Sequence, residues 1–379
     1  MNYIALKMLV DDRAKYLGLI FSIAFAAFLI SHQCSIFAGL MSRTTSQIKD
    51  VTDASVWVMD ASVQYVDEVK ALPETELYRV RAVSGVEWAV RLFKGLPTAK
   101  AADGRFRTAI LMGLDDASLA GAPRNMLVGS IDSLREPDAV VIDLAGYRYF
   151  YPDGPLELGR ELELNDRRAR IVGICNASAP FQTFPVMFSR YSVAMNYVGP
   201  QRNMMSFILA EPKPGVPARE LAARIGAETG LKALTGPAFG WATIMYYIRN
   251  TGIPVNFGIT VIVALIVGTV VSGQTFYIFA IENMKHFGAL KAIGVTDARL
   301  TGMILLQAAL VGFIGYALGI CMTTVFFLAT KDIIHLRGFI VYGEIAAGTF
   351  FIILFIIAIA SLLSIRRVRN LEPAAVFRG

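Results

Sequence analysis

Four long apolar runs constrain this chain more than any other feature. They lie near Tyr16–Phe37, Ile259–Ile281, Met303–Ala329 and Ile345–Ile365. Each is long enough to cross a hydrocarbon core of roughly 30 Å as a helix, which takes about 20 apolar residues. The outer end of the first run, ISHQCSIF, offers neither a small-x-small cleavage site nor a convincing lipoprotein box before Cys34, so the run reads as a retained anchor and not as a cleaved signal peptide. Residues 41–250 are polar, while the other two connections are short. A composition of 55% hydrophobic and 17% charged residues fits a chain divided between lipid and water. The expected fold class is therefore membrane α-helical, with four transmembrane helices and a large α+β extracytoplasmic domain between helices 1 and 2. Residues 1–40 hold an N-terminal segment and the first helix, 41–250 the outer domain, and 251–379 the other three helices and a tail.

Charge orients this layout. Ten cations flank the spans on one side: Lys7, Arg13 and Lys15, then Lys285, Lys291 and Arg299, then Arg366, Arg367, Arg369 and Arg378. Five acids accompany them, Asp11, Asp12, Glu282, Asp297 and Glu372. The loop between spans three and four balances Lys331 and Arg337 against Asp332 and Glu344, and residues 41–250 carry 24 cations and 23 acids. Nearly all of the net +6 belongs to one side, which the positive-inside rule makes cytoplasmic. Both termini are then cytoplasmic and the large domain faces outward, as for a multi-pass membrane protein. The basic pI reflects this orientation, and no basic stripe with interleaved aromatics points to nucleic acid.

The outer domain must fold on its own core. Cys34 and Cys321 lie in spans and Cys175 stands alone, so there is no disulfide framework. A domain of this length can bury enough surface without one. Strand-like runs appear at 54–59, 85–94, 105–113, 138–143, 168–174 and 204–211, and LELGRELELNDRRARIVGI reads as a hairpin turning at Asn165–Asp166. PARELAARIGAETG reads as a helix with Pro217 in its first turn and Gly230 as its C-terminal cap, and a second helical run covers Trp241–Arg249.

Chemical motifs are sparse. There is no G-x-x-x-x-G-K-[ST] loop to cradle a nucleotide, and no G-x-S-x-G or H-E-x-x-H. His32, His286 and His335 are far apart, so no metal or catalytic site is expected. His32, beside Gln33 and Cys34 near the outer end of span one, could meet a ligand from the outer leaflet, although a polar interfacial residue is the plainer reading. Phe181, Phe184, Met187 and Phe188 could line an amphiphile-binding surface or simply be core. The span interiors hold Ser272, Gln274 and Gln307 but no Asp, Glu, Lys or Arg, unlike a proton- or ion-coupled carrier. The substrate is not legible.

One connection does not look like a plain turn. Around KHFGALKAIGVTDARL, which begins at Lys285, residues 280–293 continue span two as a helix, with Ile281, Met284, Ala289, Leu290 and Ile293 apolar and Lys285 and Lys291 projecting charge. Gly294 can end that helix in the left-handed region, and Thr296 with Asp297 can start the next. Two readings remain open on pattern alone. Either the apolar edge docks on a cytoplasmic partner, or these residues only turn the chain between snorkelling lysines.

GALKAIGVT resembles the coupling segment of the MacB/FtsX-like permeases of ABC transporters. The terminal SIRRVRNLEPAAVFRG is similar to that family's arginine-rich turn followed by [DE]-P-A, and VVIDLAGYRYFYPDGPLELGRELELNDRRARIVGI resembles its extracytoplasmic core. Within the family, LKAIG and EPAAVF look closest to the DevC-type permeases. The resemblance implies an ATPase-coupling helix at about 282–294, with Met284, Lys285, Phe287, Gly288, Leu290, Lys291, Ala292, Ile293 and Gly294 as coupling residues. It implies a C-terminal motif of Arg366, Arg367, Arg369, Glu372, Pro373 and Phe377. Where the family usually places an acid, this chain has His286, and no acid's role is carried over to it.

The same resemblance implies a non-catalytic membrane subunit. Two permease chains, paired as a homodimer, would work with two copies of a separate ABC ATPase that binds Mg-ATP, the permease itself holding no cofactor. ATP-driven closure would move the outer domain and drive export of an amphiphilic or lipid-like cargo, with a membrane-fusion adaptor, an outer-membrane channel and membrane lipids as partners. The alternatives are an FtsX-like mechanotransmitter that regulates an extracytoplasmic partner without transport, or a heme or drug exporter of the same architecture.

Overall fold

In the computed structural model, residues 2–11, 13–198, 204–331, 333, 336 and 338–369 are described. The chain forms two compact units, one made of Met1–Gly39 with Gly252–Gly379 and the other of Leu40–Thr251.

The chain begins with a short helix, α1 (Asn2–Asp11), followed by the long α2 (Arg13–Arg43). The sequence pattern did not separate α1, which is too short and too weakly amphipathic to stand out beside a membrane run. The first unit resumes after the outer domain with α9 (Ile253–Glu282), α10 (Met284–Ala292), α11 (Asp297–Thr330) and α12 (Gly343–Arg369). Four of these helices, α2, α9, α11 and α12, are long and apolar enough to cross a membrane, and they contain the four expected runs. Helix α11, with 34 residues, exceeds the length a bilayer core requires.

These helices pack without a hydrophobic drive from water, so close backbone approach and internal hydrogen bonds have to hold them. A Cβ on Gly319 would lie 2.5 Å from Ala27 Cβ, and one on Gly315 2.8 Å from Ile23 Cβ, so α11 presses directly on α2. One turn further, the Ser31 and Thr323 hydroxyls share a 2.7 Å hydrogen bond, and Ser22 meets Ser272 at 3.2 Å. His32 packs among Phe28, Phe326 and Phe327, with ring centroids 4.8–5.4 Å away.

The second unit is α+β. Its helices are α3 (Ser46–Asp50), α4 (Glu74–Ala82), α5 (Leu144–Phe150), α6 (Tyr191–Tyr197), α7 (Ala218–Thr229) and α8 (Gly236–Asn250). Its strands are β1 (Val56–Met59), β2 (Val86–Gly95), β3 (Thr98–Ala101), β4 (Phe106–Thr108), β5 (Ile110–Leu114), β6 (Met126–Gly129), β7 (Ala139–Asp143), β8 (Glu161–Leu164), β9 (Arg167–Cys175), β10 (Val186–Arg190), β11 (Phe207–Pro212) and β12 (Lys232–Thr235). They pair in the order β12-β1-β11-β2-β5-β10-β7-β9-β8-β3-β4, with β6 on β9. Only the β10–β5 and β7–β9 pairs among these are parallel. Strand β2 is long enough to serve two groups of strands, its body pairing β11 and its last three residues pairing β5.

The expected hairpin is β8–β9. Asn165 and Asp166 have φ of 46° and 63°, the left-handed pair a tight two-residue turn requires, and short polar side chains tolerate it. Gly230 caps α7 at φ 73°, and the run at Trp241–Arg249 belongs to the longer α8. Met187 and Phe188 are buried on β10 while Phe181 and Phe184 are half-buried, so that group is mostly core. Helices α4 and α7 cover β1, β2 and β11 through Leu77, Val80, Leu221 and Ile225.

Candidate coupling site

The segment between α9 and α11 is a separate helix, set off by a single residue. Asn283 ends α9 with its amide N–H on the Phe279 carbonyl and its side chain donating to the same carbonyl at 2.9 Å, then accepts from Phe287 N at 3.0 Å. One asparagine thus satisfies groups at the end of one helix and the start of the next. At the far end Gly294, with φ 92°, donates to the Lys291 carbonyl while Val295 donates to the Leu290 carbonyl, both at 3.1 Å. That is the paired closure of a Schellman motif, and it needs the left-handed conformation glycine supplies.

Phe287 fixes this elbow in place. It is fully buried among Ala5 of α1, Ala280 of α9, Leu300, Met303 and Ile304 of α11, and Val368 of α12. Gly288 is buried beside it. Met284 and Leu290 are half-buried, and Leu290 packs on the same cluster. Lys291 extends to the Arg369 carbonyl at 2.8 Å and pairs with Asp297 at 2.9 Å, joining the elbow to the ends of α12 and α11. Gln307 donates to the Ala5 carbonyl at 2.7 Å, and Lys15 pairs with Glu282.

The exposed edge is therefore narrower than the sequence suggested. Lys285, Ala289, Ala292, Ile293 and Gly294 face outward, and Ile293 is 78% exposed. Beside this edge, a cleft of about 710 Å³ lies between α1 and α10, lined by Ile4, Lys7, Met8, Asp11, Glu282 and His286 among others. Arg366 and Arg369 are exposed at the end of α12. The Arg367 side chain, Glu372, Pro373 and Phe377 lie outside what the structure describes, as does His335. The burial of Phe287 was not legible in the sequence, because the helix breaks at Asn283 between Ala280 and Phe287 and the residues that cover the ring come from four helices. Among the described residues no group of three or more His, Cys, Asp or Glu could hold a metal ion.

Residues 17–228, most of α2 and the outer domain through α7, match the MacB-like periplasmic core domain over more than half of the chain, and residues 258–373 match the FtsX-like permease C-terminal domain. The chain belongs to the MacB/FtsX-like family of ABC transporter permeases. Two uncharacterized ABC transporter permeases of Mycobacterium tuberculosis, from strains CDC 1551 and H37Rv, are each 25% identical to this permease over 311 residues, covering 81% of this chain and 79% of theirs. Among solved structures, the permease is similar to the periplasmic region of MacB from Actinobacillus actinomycetemcomitans (14% identity, TM-score 0.39, covering 54% of this chain and 96% of that one). It is also similar to the extracellular domain of the transporter YknZ from Gram-positive bacteria (12% identity, TM-score 0.35, covering 48% and 98%). Membership of this family makes the permease a membrane protein and implies an ATPase partner.

Proposed function

We propose that this permease is the non-catalytic membrane subunit of an exporter, converting ATP hydrolysis on a separate ATPase into movement of its outer domain. The observation that carries this reading is the elbow. Phe287 is held among residues from α1, α9, α11 and α12 at once, while the adjoining edge that ends in Ile293 is left uncovered. A push on α10 would therefore reach the ends of three spans through packed side chains rather than through a loose loop. On this reading two copies of the permease bind two ATPase subunits that hold Mg-ATP, both termini lie in the cytoplasm, and the membrane is the bacterial inner membrane. The cargo is amphiphilic, and an adaptor and outer-membrane channel would carry it onward. The match of the outer domain to a MacB-like core favours export over the FtsX-like regulatory role.

The test is reconstitution. Purified permease alone should hydrolyse no ATP and should run as a dimer, with hydrolysis appearing only when a separately encoded ATPase is added. Robust ATP turnover by this chain by itself would sink the reading.

A further inference from the structure

The outer domain contains a recess of about 750 Å³ that its own side chains leave open. Ile48 and Val51, in and just after α3, form one wall, and Pro237, Trp241 and Ile244 on the first turns of α8 form the other. Trp241 is 62% exposed, so a large apolar ring adjoins an apolar recess in water. Ile48 and Val51 are buried and Ile244 is half-buried, so the apolar surface open to water here is chiefly the Trp241 ring at the mouth of the recess.

The charge in the recess has one sign. Among the described residues of its lining Lys49 alone is charged, and the Glu211 carboxylate that accepts from Ser55 at its edge is occupied by that residue's N–H and hydroxyl. Its ammonium is exposed and donates to Ser42 Oγ at 2.8 Å. The positive end of the 15-residue α8 opens on the same space through Thr235, Gly236 and Pro237. Trp57 lies behind Gly236, fully buried and outside the lining of the recess, so the donors the recess itself offers are Lys49 and the start of α8.

We propose that this recess binds an anionic amphiphile, its chain against Ile48, Val51, Pro237, Trp241 and Ile244 and its acidic head at Lys49 and the start of α8. The size favours a small molecule over a protein, since ligand pockets span roughly 300–1,000 Å³ whereas a stable protein interface needs about 800 Å² on each partner. Use of the recess for cargo rests on the export reading, whereas binding itself does not.

The test uses the full chain in phosphatidylcholine nanodiscs and two photoreactive probes with the same diazirine-bearing alkyl chain, one a fatty acid and the other an uncharged monoacylglycerol. After irradiation, peptides are mapped by mass spectrometry. The fatty acid should mark residues 45–55 and 235–244 more strongly than the neutral probe, and excess dodecyl phosphate should suppress that labelling. Lys49 is exposed, so Lys49→Gln keeps the fold and should lower fatty-acid labelling about five-fold, to the level of the neutral probe. Ile244→Glu should lower it further, and Trp241→Ala should weaken both probes. Labelling confined to the spans, or equal labelling by both probes that Lys49→Gln leaves unchanged, overturns the proposal. So does a disulfide between two copies of Trp241→Cys protein with no probe uptake, which assigns the recess to a second copy of the chain. These outcomes do not depend on transport or on the ATPase, so their failure and the failure of the export reading are separately visible.

Discussion

Lys94 on β2 donates to Asp67 Oδ1 across 2.5 Å, and the other oxygen of Asp67 accepts from the Tyr247 phenol at 3.2 Å. The same ammonium donates to the Val66 carbonyl at 3.0 Å and to Gln47. Lys94 is buried, and it joins α3, the 60s loop and α8 to the middle of the sheet. Burial pushes its ammonium below the ordinary lysine range, and Asp67 offsets this only in part.

That asymmetry predicts which half of the pair matters more. Asp67→Asn strands a buried ammonium and should cost about 3–5 kcal/mol, while Lys94→Met leaves a partly hydrated carboxylate and should cost distinctly less. The pH dependence comes from the lowered pKa. Between that value and the unfolded lysine value of about 10.4, the unfolded chain holds a proton that the folded one has lost, so stability rises with pH there. The burden of the buried ammonium is greatest at neutral pH. Melting of both proteins at pH 7 and pH 10 should show wild type gaining on Lys94→Met as pH rises, and a constant gap would contradict this.

The helix seam makes a steric prediction. Beyond the Ala27 contact, a Cβ on Gly319 would also approach the Ala24 carbonyl to 2.7 Å, and backbone cannot rotate away as a side chain can. Gly319→Leu should part α2 from α11 and lower stability in detergent by at least 1–3 kcal/mol. Gly348→Leu on α12 is the control, because nothing lies within 4 Å of its Cβ position. Equal melting of the two variants would mean that the seam does not hold these helices together.

The spans could be read from sequence because membrane thickness sets their length, and the β8–β9 turn because few residues besides Asn, Asp and Gly accept its backbone. Strand Thr98–Ala101 could not, since four residues are too few to stand out and their register depends on neighbours far along the chain, whereas the run at 105–113 was legible but divides into the two strands Phe106–Thr108 and Ile110–Leu114. In the elbow, the helix and its Gly294 stop were local signals. Which side faced inward was not, because Phe287 is buried by residues from four helices. The recess at α8 was likewise invisible, since its walls lie nearly 200 residues apart in the chain.

Orientation is open to direct labelling. With Cys34, Cys175 and Cys321 replaced, Arg124→Cys should react with a membrane-impermeant thiol reagent added to intact spheroplasts, and Lys285→Cys should react only after permeabilisation. Both parent residues are exposed, so protection reports the membrane and not burial. Labelling of Lys285→Cys in intact cells would reverse the topology drawn from the charge counts.

The elbow itself yields the sharpest comparison, because Phe287 and Ile293 separate anchoring from docking. If Ile293 enters a groove on the ATPase, its burial contributes about 1.5–3 kcal/mol, and Ile293→Asp forfeits this while adding the cost of desolvating an acid. Affinity for the ATPase should then fall at least ten-fold, since each 1.4 kcal/mol is a factor of ten. The permease should melt as wild type does, because the side chain supports nothing within it. Ile293→Met keeps the apolar volume and should bind nearly normally. Phe287→Ala should instead lower both binding and melting temperature, because emptying a fully buried aromatic site costs about 3–5 kcal/mol. Leu290 is a poorer probe, since it packs partly on the cluster around Phe287 and mixes the two effects. Equal capture of the ATPase by the Asp and Met variants of Ile293 would reduce α10 to a turn between spans, whatever Phe287→Ala does to stability.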